Sequence, residues 1–264
     1  MPIEVEREKG IWTITINRPE RRNALDLPHF QALASAWLDF RDDPDARVAI
    51  ITGVDTSFCV GADLKSFVPA VTDNVEDLAA GRSDMPADAG LVAVLREFDL
   101  WKPVIAAVNG LCVAGGMEML LGTDIRLASE EATFGIFEPK RGLFPGGGTT
   151  VRLPRQIPFP WAMEILLLGE AVDADTAFRM GLVNKVVPQA ELLAEARRWA
   201  ETIMANAPLA ISAVKRSALT GLRMNLKEAF EQELALAAEI FMTEDAREGP
   251  LAFAQKRQPE WKGK

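Results

Sequence analysis

The sequence predicts an α/β fold with crossover helices, closed by an all-helical module at its C-terminus. Three observations carry this. Short apolar segments of extended type alternate with helical patterns through the first part of the chain. The order strand, glycine loop, helix, strand runs from Pro103 to Ala128. From Trp161 onward strand signals nearly vanish, apart from Lys185 to Val187.

The opening reads as a hairpin, with Ile3, Val5, Ile11, Ile14 and Ile16 in extended segments and Lys9-Gly10 as the turn. Asn17-Arg18-Pro19 breaks it. Pro28 to Phe40 reads as an amphipathic helix with Phe30, Leu33, Ala34, Trp37 and Leu38 on one face. Val48 to Thr52 is a short apolar strand ending at Gly53. Residues 69–90, rich in Ala, Asp, Pro and Gly, read as a mobile loop lining a ligand pocket. Leu91 to Leu100 reads as a helix, Pro103 to Val108 as a buried strand, Asn109 to Gly116 as a loop. Met117 to Leu121 is a helix and Asp124 to Ala128 a strand. Glu191 to Ala205, Leu209 to Leu219, Leu226 to Met242 and Ala246 to Lys256 read as helices. The module boundary falls near Pro188, giving a core of 1–187 and a helical unit of 188–264.

Composition narrows the function classes. The 264 residues are 48% hydrophobic and 25% charged, enough for a sizeable core. A formal net charge of −9 makes nucleic acid and anionic membrane poor partners. No apolar run reaches the roughly 18 residues of a membrane span. The N-terminus MPIEVEREKG lacks a signal-peptide core, so a cytoplasmic location is expected. Cys59 and Cys112 form no CxxC pattern and read as buried, reduced and inert, and no metal site is expected. His29 is the sole histidine and tyrosine is absent. A Ser-His-Asp triad therefore has one possible centre, and a tyrosine general acid is impossible.

Three segments carry chemistry. They are Ser57-Phe58-Cys59-Val60-Gly61-Ala62-Asp63-Leu64-Lys65; Asn109-Gly110-Leu111-Cys112-Val113-Ala114-Gly115-Gly116-Met117-Glu118; and Phe134-Gly135-Ile136-Phe137-Glu138, continued by Gly142-Leu143-Phe144-Pro145-Gly146-Gly147-Gly148. Glycines before a helix let its free N–H groups approach a ligand, and the helix dipole adds partial positive charge there. Gly115 and Gly116 open the helix that bears Glu118, so an N–H donor and a carboxylate face one small volume. That arrangement suits chemistry beside a developing oxyanion. Each feature alone has a plainer reading. A glutamate near a helix N-terminus is often a capping partner. Glycine runs are usually turns. Glu138 beside Pro139 is usually a solvated loop residue, and Lys65 a surface charge.

In combination these segments resemble the crotonase family, the enoyl-CoA hydratase/isomerase superfamily. The resemblance extends from Asn17-Arg18-Pro19 and Asn23-Ala24-Leu25, through Lys102-Pro103-Val104-Ile105-Ala106-Ala107-Val108-Asn109-Gly110 and Asp173-Ala174 to Gly181-Leu182-Val183-Asn184, to the ending Phe253-Ala254-Gln255-Lys256-Arg257-Gln258-Pro259. It implies a spiral of ββα units as found in the ClpP/crotonase fold. It implies an acyl-CoA substrate, with the thioester oxygen between the N–H groups of Ala62 and Gly115. Glu118 and Glu138 match the two catalytic glutamates of the family's hydratases. Arg22, Lys65 and Lys256 match coenzyme A phosphate contacts, Ala24 and Leu25 an adenine-side wall. Asp63 and Leu64 complete the substrate segment, and Phe253 with Lys256 complete the site of a neighbouring subunit. The resemblance further implies a homotrimer or homohexamer assembled through the helical module, and no cofactor beyond the coenzyme A of the substrate. Phe137 departs from the pattern, since a small or polar residue or proline is common before the second glutamate. It either narrows the acyl pocket or packs against the loop.

Enoyl-CoA hydration is therefore the expected reaction. A Δ3,Δ2-enoyl-CoA isomerase, needing chiefly one base, and a carnitinyl-CoA-type dehydratase are the alternatives. Lack of tyrosine disfavours the feruloyl-CoA and naphthoate-synthase types, and a dehalogenase needs a histidine base downstream of His29. A non-catalytic acyl-CoA-binding or RNA-binding member fits poorly with the carboxylate pair and the acidic charge.

Overall fold

A computed structural model of the chain describes residues 3–66, 76, 87–96 and 98–264. Strand β1 (Ile3–Glu8) turns back antiparallel into β2 (Ile11–Ile16). Lys9 and Gly10 both take positive φ, 49° and 82°, the backbone that suits a two-residue hairpin turn. Later strands are β3 (Val48–Gly53), β4 (Ser57–Cys59), β5 (Val104–Val108), β6 (Leu111–Val113), β7 (Ile125–Ser129), β8 (Thr133–Gly135), β9 (Val172–Asp173) and β10 (Lys185–Val187). Two sheets form from them. The larger has the order β1-β2-β3-β5-β7-β10 and is parallel from β2 onward. The smaller has the order β4-β6-β8-β9, with β4, β6 and β8 parallel. Strands β3, β5 and β7 of the first sheet are each followed by a short strand of the second, β4, β6 and β8, which makes the repeating unit of the spiral.

Among the described residues, the α-helices include α1 (Leu27–Asp42), α2 (Ala87–Ala93), α3 (Gly115–Leu120), α4 (Thr149–Gln156), α5 (Phe159–Leu168), α6 (Ala174–Met180), α7 (Leu192–Met204), α8 (Pro208–Gly221), α9 (Leu226–Phe241) and α10 (Asp245–Ala254). Alternate residues of the central strands enter two different cores. Ala49, Ile51, Val104, Ala106 and Val108 face the side of α1 and α3. Val48, Ile50, Ile105 and Ala107 face α7 through Leu192, Ala196 and Ala200. Burial on both faces explains why β3 and β5 read as unbroken apolar runs. The first helix past Pro188 therefore covers the main sheet, while α8, α9 and α10 follow outside it. Lys215 of α8 ties them down, donating to Asp124 at 2.7 Å and to the Lys102 carbonyl at 2.9 Å.

Several expectations need correction. Leu38 does not join the buried face of α1; it is exposed, and Phe40 lies inside instead. The helix expected at Leu91 to Leu100 runs from Ala87 to Ala93, because Leu95 adopts a left-handed φ of 55° that ends it. Of the loop expected at 69–90, residues 87–90 belong to α2, and 69–75 and 77–86 lie outside the described residues. The loop at Asn109 to Gly116 contains β6. Strand β9 lies past Trp161 in addition to β10. Strands of two or three residues are too short to show a period-2 pattern.

Candidate active site

The small sheet gathers the site. Strands β4, β6 and β8 run parallel side by side, with Cys59 opposite Cys112 and Val113 opposite Gly135. Just past their carboxyl ends lie Ala62, Gly115 and Glu138. Three segments far apart in the chain therefore deliver their residues to one rim, where loops of α/β folds commonly meet ligands.

Two buried asparagines lace the first segment in place. Asn109 donates to the carbonyls of Asp55 (2.8 Å) and Ser57 (3.1 Å) and accepts from the Gly53 N–H at 3.1 Å. Asn23 donates to Val54 and Ser57 carbonyls at 3.0 and 2.6 Å. Beyond β4, Gly61 takes a φ of +85°, and a Cβ there would sit 2.6 Å from the Gly115 nitrogen. A Cβ on Gly115 would meet Gly61 at 3.0 Å and the Ala62 nitrogen at 3.6 Å. The two loops thus touch, and glycine at both positions permits it. Neither the Ala62 nor the Gly115 N–H donates to another group among the described residues. Ala114, which caps α3, has φ 52° and ψ −124°, a conformation ordinarily left to glycine.

Glu118 projects from the first turn of α3 and is 9% exposed. Its carboxylate accepts a short hydrogen bond from the Gly147 N–H. Burial pushes its pKa up to about 7, with the charge of Glu138 adding to the rise. The Gly147 bond and the guanidinium groups of Arg96 and Arg152 oppose it. Arg152 is itself held by the carbonyls of Val94, Leu95 and Glu118. Burial likewise raises Glu138, whose Oε2 is buried with no hydrogen-bond partner. The pair therefore keeps a proton toward neutrality, the state in which one carboxyl donates and the other accepts. Phe137 folds back on its own strand end, where a Cβ on Gly135 would lie 2.7 Å from its ring. It packs against the loop.

A stability consequence follows from the raised pKa. The folded state holds the Glu118 proton more tightly than the unfolded chain, whose value is near 4.5. Folding stability should therefore decline as pH rises from about 4.5 through 7. Glu118→Gln removes that loss. The variant should match the parent near pH 4 and exceed it at pH 8 by up to about 3 kcal/mol. Urea unfolding at the two pH values checks this; an equal difference at both would remove the buried charge as the cause.

The remaining expected positions divide. Lys65, Arg22 and Leu64 are exposed, open to a ligand. Ala24 is buried. Leu25 is fully buried and pairs with Ala62 through a parallel bridge, so it holds the loop and offers no adenine wall of its own. Asp63 points to Arg18 at 3.2 Å and caps the Lys65 N–H at 3.1 Å, so its carboxylate is engaged within the chain. Phe253 is 87% exposed on α10, and Lys256 follows that helix. His29 binds Asp26 through Nδ1, and its buried Nε2 has no partner among the described residues, which leaves a triad without its nucleophile. Cys59 and Cys112 are free and buried, with burial driving the Cys59 thiol up to about 12. Among the described residues no cluster of His, Cys, Asp or Glu fits a metal ion, and no helix is long and apolar enough to cross a membrane. Sequence reasoning did not foresee the contacts of Gly147 and Arg152 with Glu118, or of Arg18 with Asp63. The glycine run at 146–148 and the Asn17-Arg18-Pro19 motif drew notice, but neither showed its partner.

A model of the enoyl-CoA hydratase/isomerase family matches residues 6–264. The chain belongs to this family. The chain is 42% identical over 261 residues to enoyl-CoA hydratase EchA19 of Mycobacterium tuberculosis, covering 98% of this chain and 96% of that protein. It is 39% identical over 267 residues to carnitinyl-CoA dehydratase of Escherichia coli K12, covering 99% and 98%. The crystal structure of enoyl-CoA hydratase EchA1 from Mycobacterium marinum superposes with a TM-score of 0.90 at 38% identity, over 100% of this chain and 99% of that one. The crotonase fold is thus that of the family to which the chain belongs.

Proposed function

We propose that this enzyme adds water reversibly across the 2,3 double bond of an enoyl thioester of coenzyme A. The single observation that carries the reading is a carboxylate pair, buried Glu118 and half-buried Glu138 with its Oε2 covered, beside the free N–H groups of Ala62 and Gly115. In the hydration direction one glutamate takes a proton from water as its oxygen bonds to C3. The C2=C3 pair shifts to make a C1=C2 bond and the carbonyl pair moves to the thioester oxygen, forming an enolate between the two N–H donors. The other glutamate then supplies a proton to C2, and the carbonyl re-forms. Losing one donor of that kind costs around 3 kcal/mol, on the order of 100-fold in rate. The coenzyme A group is part of the substrate, so the reaction as written needs no further cofactor. Lys65 and Arg22, both exposed, would meet its phosphates in this reading.

Mixing the protein with crotonyl-CoA tests this. Loss of the conjugated-thioester absorbance is expected, and a constant signal across acyl chains from four to sixteen carbons would defeat the proposal. The dehydratase reading runs the same chemistry backward; the carnitinyl-CoA dehydratase relative favours it. A Δ3,Δ2 isomerase uses chiefly one base, and the presence of both Glu118 and Glu138 speaks against it.

We further propose a homotrimer or homohexamer built through residues 188–264, in the cytoplasm. Leu226, Phe230, Leu234 and Phe241 recur along α9 and are 63–77% exposed in the single chain. The stripe is not intramolecular core; Leu236 is the residue α9 buries. Each such side chain gains about 1.5–3 kcal/mol on burial, so a partner surface is expected to cover them. Light scattering on the intact, active protein at micromolar concentration should give a trimeric or hexameric mass, and a monomeric one overturns this. Truncation after Thr243 should give smaller species and weaker acyl-CoA binding, because Phe253 and Lys256 would be lost to the neighbour's site.

A further inference from the structure

Arg18 lies outside the site but is joined to it. Its guanidinium is 16% exposed and spans three acceptors. It meets the Ala24 carbonyl at 3.0 Å, Asp26 Oδ2 at 3.1 Å and Asp63 Oδ2 at 3.2 Å. Glu20 stands further off, at 3.8 Å from Nε. Asp26 is the N-cap of α1, and its other oxygen is taken by the His29 backbone N–H at 3.2 Å and ring Nδ1 at 2.5 Å. That end of the bridge is fixed. The other end, Asp63, is the residue directly after Ala62. Ala62 is bracketed by two backbone bonds to Leu25, the Leu25 N–H to the Gly61 carbonyl at 2.8 Å and the Asp63 N–H to the Leu25 carbonyl at 2.8 Å. Leu25 itself follows Ala24, the carbonyl Arg18 holds. One planar, rigid guanidinium thus ties both strands of the bridge that aims the Ala62 N–H.

We propose that Arg18 is a positioning residue for the reaction, acting through Asp63 to hold the Ala62 N–H against the thioester oxygen. This rests on the hydratase reading of the site. A misaimed donor weakens enolate stabilisation more than it weakens ground-state binding, so the effect falls on kcat rather than on affinity.

The test uses the intact protein with crotonyl-CoA for turnover and cinnamoyl-CoA as a bound chromophore. Carbonyl polarisation by the two donors should shift the chromophore's absorbance to the red in the parent. In Arg18→Met, kcat should fall at least about tenfold, acyl-CoA affinity should change less than about threefold, and the red shift should shrink. Arg18→Lys should recover part of both. Asp63→Asn keeps the cap on Lys65 but loses the ion pair, and should reproduce the Met phenotype. The double variant should lose no more than the worse single, since both break one link. A folded Arg18→Met with parental kcat and shift overturns the proposal, as does a kcat loss with an unchanged shift. Should Arg18→Met fail to fold, a parental shift in Asp63→Asn overturns it equally. If the parent itself shows neither turnover nor shift, the hydratase reading falls, and the Arg18 proposal with it.

Discussion

Replacing either Glu118 or Glu138 by glutamine is expected to lower kcat by at least about 100-fold while acyl-CoA affinity stays nearly intact. The expected scale for a positioned acid or base is roughly 10²–10⁴-fold. Glutamine keeps the shape and polarity of each side chain, so the loss reports proton transfer rather than packing. Glu118→Gln can still accept the Gly147 N–H, which keeps the loop at 146–148 in place. Glu138 Oε2 is buried without a hydrogen-bond partner, so exchanging the carboxylate for an amide breaks no bond at that atom. Steady-state turnover of crotonyl-CoA and a binding isotherm for each variant check this. Near-parental turnover in either one removes that residue from the mechanism. Activity retained in Glu138→Gln alone would favour the isomerase reading.

The larger sheet was legible in the sequence because its strands are buried on both faces and long enough to stand out. The hairpin at Lys9-Gly10, the strand at Val48, the strand at Pro103 and the four C-terminal helices all lie where their patterns put them, within a few residues. The smaller sheet was not legible. Its strands have two or three residues, and Leu111–Val113 lies inside a run that glycines mark as loop. Yet that sheet sets the site, since its three parallel strands align the ends that carry Ala62, Gly115 and Glu138.

The site shows the same division. Glu118 was readable from its place after two glycines, and Glu138 only through the family motif. What surrounds them was not readable. The contacts of Arg18 with Asp63 and of Arg152 with the Glu118 carbonyl join positions 45 and 34 residues apart, respectively, and no local pattern encodes them. The exposed stripe of α9 shows the opposite case. Its helical period was plain, but an apolar stripe reads alike whether it faces its own core or a neighbour. The fold adds that the single chain leaves Leu226, Phe230, Leu234 and Phe241 uncovered.

Gly147→Ala is expected to abolish most turnover while leaving the fold nearly as stable as the parent. A Cβ at this position would lie 2.2 Å from Glu118 Oε2 and 2.5 Å from its Cδ. The three nearest atoms all belong to the Glu118 carboxylate, the end of one flexible side chain. The stability cost is therefore small, because Glu118 swings aside by a rotamer change. The catalytic cost is large, because the carboxylate then leaves the position from which it handles the proton. Misplacement of about 1 Å at a reacting group costs on the order of 100-fold. Removal of the Gly147 contact also releases the hydrogen bond that orients the carboxylate. Gly146 provides the contrast, since a Cβ there meets nothing within 4 Å and its φ is not in the left-handed range. Gly146→Ala should keep at least a third of parental kcat, while Gly147→Ala should fall at least about 100-fold. Thermal melts of both should stay within a few degrees of the parent, which separates displacement of the carboxylate from general unfolding. Equal kcat in the two variants would show that Gly147 is an ordinary turn glycine and that its closeness to Glu118 has no part in the chemistry.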